Sequence, residues 1–249
     1  MPKRRALDLS GLDDKLIDGL KFCTKVYDLF DDVLREPDGI GKIRLQASKR
    51  EKRLIEELLP ITQYVQARYR VGNRFKIRWL SGSQGYDAKI WTPLTMVIKS
   101  GMPRSITLEV TISRHEFTHI ARRQLHEEGG SFGPKGIRID KKTNLPVFSP
   151  HVYTNDEHVV DLVQQINGRI SAKAKKQYPR NTVLIVSCET DGLILEDEWK
   201  EAIRRVESEG THKAFREVFL CARYGQLSAT LWGSGNRKVE KKQPHAKKP

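Results

Sequence analysis

Cysteine is scarce in this 249-residue chain. The three that exist, Cys23, Cys188 and Cys221, lie far apart in apolar contexts and never in CxxC spacing. That excludes a disulfide scaffold and a thiolate zinc ribbon, and it points to reduced thiols in a cytoplasmic protein. Long hydrophobic runs are missing as well. The longest clean one, Val183-Leu184-Ile185-Val186, falls far short of the roughly 20 residues a bilayer requires, so no membrane segment is expected. The opening MPKRRALDLS is basic but lacks the apolar stretch of a secretory signal. The two helical patterns near the N-terminus do not repeat one another. Disorder along the whole chain is excluded too, because 38% of residues are hydrophobic and 31% charged, a polar but globular balance.

What the chain has in excess is positive charge. Lys and Arg number 45 against 31 Asp and Glu, a net +14. Residues 1–5 hold +3 of this and residues 233–249 hold +5, which leaves a moderately basic body between two strongly basic ends. Such ends suit a phosphate backbone, where each neutralised phosphate releases counterions. A nucleic-acid partner is therefore expected, DNA or RNA, although charge alone says nothing about catalysis.

Periodicity divides the chain into a helical N-terminal extension (1–45), an α/β core (46–232) and a basic tail (233–249) whose composition predicts disorder. Residues 13–35 repeat apolar positions at helical spacing. A second helix covers SKREKRLIEELL and is kinked or restarted at Pro60. Phe75, Ile77 and Trp79 then alternate with Arg74, Lys76 and Arg78, a half-buried strand with a basic outer face. YDAKIW and SITLEVTIS extend this into a three-strand meander, joined by a loop over 92–105. A helix is expected from 114 to 128, and a loop or small hairpin over 131–152. Asn155 is the expected N-cap of a helix that runs to Lys176. NTVLIVSC reads as a strand buried on both faces and central to a mixed sheet. One more helix and two late strands complete an α/β (α+β) order.

Two metal chemistries compete in ITLEVTISRHEFTH (106–119). In a helix, His115 and His119 would share a face, reach one Zn²⁺ and leave Glu116 as general base. The metzincin extension is absent, since Arg122 and Leu125 stand where Gly and His are needed. The adjoining Arg122 and Arg123 also repel a dication. The other chemistry needs carboxylates on rigid strands converging on Mg²⁺ or Mn²⁺, with a cation near the attacking water. Asp87, at the head of the second strand, and Glu109, in the middle of the third, could do this side by side.

GYDAKIW, LEVT and the helix-to-strand unit KAKKQYPRNTVLIV resemble the PD-(D/E)XK, or restriction-endonuclease-like, superfamily over about 50–230, including bacterial and phage members without a characterised function. The resemblance implies a restriction-endonuclease-like mixed sheet flanked by helices, metal-dependent hydrolysis of phosphodiester bonds, and in many members a homodimer. It maps the metal ligands to Asp87 and Glu109, with Glu57 or Glu56 from the leading helix joining them. The lysine of the ExK motif is replaced by Thr111. In this family the lysine sometimes migrates, and Lys89, Lys173 or Lys175 would then supply the catalytic cation. Arg74, Lys76, Arg78, Arg122 and Arg123 are the expected phosphate contacts. A binding protein of the same fold that does not cut, and the zinc peptidase, remain the alternatives.

Overall fold

The computed structural model describes residues 8–69, 74–82, 84–100, 103–152, 154–189, 194–222 and 227–233. The expected basic tail beyond residue 233 and the basic residues 1–5 lie outside them.

Strand β1 (Ile17–Asp18) leads directly into helix α1 (Gly19–Arg35). The Asp18 carboxylate caps α1 by accepting the amides of Leu20 and Lys21 at 3.1 and 3.3 Å. The helix is thus shorter than its apolar spacing suggested. Asp13 and Asp14, which look like first-turn acids, are used elsewhere: Asp13 accepts the amide and hydroxyl of Ser81 at 2.8 and 2.6 Å, and Asp14 pairs with Arg78. Helix α2 (Gly39–Leu45) follows, then α3 (Lys49–Arg53), a π turn (Leu54–Leu58) and α4 (Leu59–Arg68), which form one continuous rod. The π turn gives Pro60 its physical solution. A proline here would lose its bond to the Glu56 carbonyl and clash with it in an α-helix, and widening the preceding turn relieves both problems.

Strands β2 (Lys76–Trp79) and β3 (Ala88–Trp91) and a short helix α5 (Leu94–Ser100) lead to β4 (Ser105–Ser113). Helix α5 occupies part of what the sequence presented as a loop. Helix α6 (Thr118–Glu128) precedes a β5 (Ile137–Ile139) and β6 (Pro146–Phe148) hairpin. Then come α7 (Asn155–Ala174), β7 (Thr182–Cys188), α8 (Glu196–Glu209), β8 (Glu217–Ala222) and β9 (Ser228–Trp232). The N-cap of α7 is Thr154, one residue earlier than expected, in a capping box with Glu157.

The main sheet is mixed, in the order β1-β2-β3-β4-β7-β8-β9. Strands β1 to β4 run as antiparallel neighbours, β4, β7 and β8 are parallel, and β9 is antiparallel. Strand β7 is buried at every position, as a strand covered on both faces must be. On one face, Leu108, Val110, Val183, Ile185 and Phe219 pack under α1 and the α3–α4 rod. On the other, Leu184, Val186, Val218 and Leu220 pack under α7 and α8. The result is a three-layer α/β/α arrangement. The described part of residues 1–45 shares the first core through Phe22, Val26 and Val33. Arg68 closes the far end of the sheet, with its Nε 3.2 Å from the buried Glu217 carboxylate and its guanidinium over Trp232.

Register creates an opening. Strand β4 pairs with β7 from Thr107 to Ser113, but with β3 only from Ser105 to Leu108. Beyond Leu108 the β3 side of β4 is left without a strand.

Candidate active site

The uncovered half of β4 lines a cleft of about 270 Å³. Its floor is Val110, Thr111 and Ile112; Glu56 and Glu57 enter from the π turn, Asp87 from the head of β3, Arg114 from the end of β4 and Arg169 from α7. The cleft exists because β3 departs where β4 continues, and the π turn bridges the gap from the other face.

Asp87 is tied to this edge by its own strand's geometry. Its Oδ2 accepts the Val110 amide at 2.7 Å, which takes the place of the missing ladder bond. Burial, then the charge of Glu109, push the Asp87 carboxyl up to about 7, against the lowering effect of the Val110 amide. Burial also raises the Glu57 carboxyl, and the charges of Glu56 and Glu109 add to that. Trp79 Nε1 donates to Glu57 at 3.2 Å.

Glu109 lies between Leu108 and Val110, so its side chain leaves β4 on the α7 side. It is almost fully buried. Lys173 of α7 bonds its Oε1, and the Tyr178 hydroxyl donates to the same oxygen at 3.1 Å. Burial, with the charge of Glu109 adding to it, holds the Tyr178 phenol protonated and a donor. Of the three lysines considered for the missing motif position, Lys173 is the one that reaches a site carboxylate. Lys89 sits over the ring of Trp91, and Lys175 is an exposed residue at the end of α7.

Asp87, Glu109 and Lys173 therefore form one electrostatic unit, since Asp87 feels both of the others. Glu57 joins the unit through charge only. Among the described residues no three His, Cys, Asp or Glu side chains are gathered into a group that could hold a metal, so Glu57 is not placed as a third ligand. Two carboxylates, completed by water and substrate phosphate, suffice for a hard cation such as Mg²⁺ or Mn²⁺. The residue types fit such an ion: Asp87 lines the cleft, and Glu109, which lies behind the lining with its Oε1 on Lys173 and Tyr178, raises the Asp87 carboxyl by its charge.

The zinc arrangement is not formed. Helix α6 begins at Thr118, so His115 precedes it and the two histidines do not share a helical face. The Phe117 amide donates to His115 Nδ1 at 3.2 Å, and His119 Nδ1 lies 3.1 Å from the Glu116 carbonyl oxygen. Burial lowers the His115 imidazole pKa. The physical reason is that β4 runs on to Ser113, and Arg114 is drawn back into the cleft.

The expected phosphate contacts divide. Arg74, Lys76 and Arg123 are exposed. Arg78 is committed to Asp14. Arg122 is not available for phosphate, because it pairs with Glu189, a carboxylate buried at the end of β7 that requires a counter-charge. Arg114 belongs to the same network, at 2.6 Å from Glu56 and 3.8 Å from Glu189.

Reading the sequence missed Arg114, Arg169 and Tyr178. A signal for Arg169 was present: it stands four residues before Lys173, and so one turn along the same face of α7. Tyr178 carried none, because its contact with Glu109 spans 69 residues. Comparison with protein-family models, with curated proteins and with solved structures gives no match, so the assignment of this cleft rests on its own geometry.

Proposed function

We propose that the chain is a metal-dependent nuclease, hydrolysing phosphodiester bonds of nucleic acid in the manner of the restriction-endonuclease-like superfamily. The observation that supports this reading is the Asp87 carboxylate held on the uncovered edge of β4 by the Val110 amide, within electrostatic reach of the buried Glu109–Lys173 pair next to it on the strand. Thr111 stands where the motif keeps its lysine, and Lys173 brings the ammonium from α7 instead. The buried free cysteines suit a reducing, cytoplasmic setting.

Asp87 and Glu109 would hold one Mg²⁺ or Mn²⁺. When bound, the ion would supply Lewis-acid stabilisation of the charge that builds on the phosphoryl oxygens. The remaining steps belong to the chain. Tyr178 and Lys173 fix the Glu109 carboxylate, so it meets a substrate already oriented. Lys173 places a fixed positive charge beside the reacting phosphate. Arg169, exposed at the rim, would bind a neighbouring phosphate oxygen. The Glu56–Arg114–Glu189 network holds the π turn against the end of β4 and keeps the cleft's width.

The test is cleavage of supercoiled plasmid and of RNA in Mg²⁺ or Mn²⁺. Asp87→Asn, Glu109→Gln and Lys173→Met should each lower the rate about 100-fold or more, a drop typical of removing one transition-state charge interaction. Lys173→Arg should recover part of it. Cleavage that survives Asp87→Asn would defeat the proposal. Binding of nucleic acid with no cleavage in either metal would leave a binding module of the same fold.

A further inference from the structure

The β5–β6 ribbon belongs to neither core cluster. A lone two-stranded hairpin is marginal in water, yet this one is fixed at both ends. At its base the Ser149 amide donates to the Gly136 carbonyl at 2.7 Å, and a Cβ on Gly136 would collide with the Ser149 carbonyl. At its tip the Asp140 carboxylate accepts the amides of Lys142 and Thr143 at 2.9 and 2.8 Å, and Asn144 turns the chain with φ +56°. Lys135 anchors the base to α7 through an ion pair with Asp161. Asp161 precedes Arg169 by eight residues, about 12 Å along the helix. The ribbon thus stands at a set distance along α7 from the cleft.

Its surface is of one kind. Asp140 is the single acid between 137 and 148, and the turn consumes it, whereas Arg138, Lys141 and Lys142 are exposed. Leu145 is 62% exposed beside them. Lys141, Lys142, Asn144 and Leu145 are exposed together at the tip, Arg138 lies behind them on β5 opposite Val147, and the Thr143 hydroxyl is used within the turn, donating to Asp140 at 3.0 Å.

We propose that this ribbon is an arm that enters the major groove of duplex DNA, which makes B-form DNA the substrate of the Asp87 cleft. The inference rests on the nuclease reading given above. The major groove of B-DNA admits a two-stranded β-ribbon. That of an A-form RNA duplex is too narrow for side chains to read, and a single strand offers no groove. Lys141 and Lys142 contact phosphates on the groove walls, Asn144 meets base edges, and Leu145 suits a thymine methyl.

The test uses the full chain without divalent metal and follows the anisotropy of a labelled DNA duplex, an RNA duplex of the same sequence and one single strand. Wild type should prefer the DNA duplex by about 10-fold or more, and K141E/K142E should lose that preference. The log–log salt slope of duplex binding should become shallower by about 2, one per lysine. Wild type should also shield guanine N7, a major-groove atom, from dimethyl sulfate, and the variant should not. If the double reversal lowers the melting temperature, K141A/K142A is read in the same way. Equal or tighter binding of RNA duplex or single strand would overturn the proposal, as would an unchanged duplex affinity in the variant. None of these readouts needs cleavage. Groove protection without any cleavage in Mg²⁺ or Mn²⁺ would remove the nuclease reading and leave the arm, whereas unimpaired cutting of duplex DNA by K141E/K142E would remove the arm alone.

Discussion

The Asp87 carboxyl titrates near 7 because burial, and then the charge of Glu109, disfavour its anion. An unfolded chain would release that proton near the ordinary value of 3.8. Between those two values the native state binds more protons than the unfolded one, so the group stabilises the metal-free fold below about pH 4 and loses that contribution as pH rises through 7. Asp87→Asn keeps an acceptor for the Val110 amide and removes the charge. In the presence of a chelator, urea melts should find the variant more stable than wild type by on the order of 2–4 kcal/mol at pH 8, and equal to it near pH 4. Parallel curves for the two proteins across that range would show that Asp87 does not carry the strain. If Asp87 holds Mg²⁺ or Mn²⁺ as proposed, metal affinity should weaken in calorimetry as pH falls from 8 to 6, because a protonated Asp87 is a poor ligand.

At the scale of elements, two glycines make opposite tests of packing. A Cβ on Gly19, where α1 starts against the lead into β2, would overlap the ring of the buried Phe75. A Cβ on Gly168, in the middle of α7, would meet nothing within 4 Å. Gly19→Ala should therefore cost about 1–3 kcal/mol through overpacking, while Gly168→Ala should gain up to about 1 kcal/mol in helix propensity. Thermal melts that move both the same way would contradict the packing described for α1. These positions also mark the limit of what the sequence makes legible. Strand β7 and helix α7 could be read directly, because an unbroken apolar run and a capped apolar stripe are local signals. The start of α1 could not, since the partners of Asp13 and Asp14 are Ser81 and Arg78, more than 60 residues away. The start of α6 was hidden for the same kind of reason. HEFTH has acceptable helical spacing, but pairing with β7 keeps the chain extended to Ser113. Asp87, in the cleft, and Glu109, buried behind it, were visible as strand carboxylates. The arrival of Lys173 depends on how α7 crosses the sheet, which no local pattern states.

Across the whole molecule, charge and architecture act together. The sequence beyond Gly233 carries +5 of the net +14, and the Gly233 amide is still bonded to the Arg216 carbonyl at 3.0 Å. Ending the chain after Gly233 should leave the melting temperature unchanged and make the log–log salt slope of nucleic-acid binding shallower, by nearly one unit for every phosphate the tail had neutralised. A salt slope equal to that of the full chain would mean the tail neutralises none. The sheet order also sets its two edges: the first strand, β1, is one edge, and the last, β9, from which the basic tail follows in sequence, is the other. Six strand spacings of about 4.8 Å separate those edges, roughly 29 Å. B-DNA rises about 3.4 Å per base pair, so the distance between the two edges corresponds to some eight to nine base pairs. On the proposed nuclease reading, a duplex passing the strand ends from edge to edge would have the Asp87 cleft, at β4, midway along that nearly one helical turn.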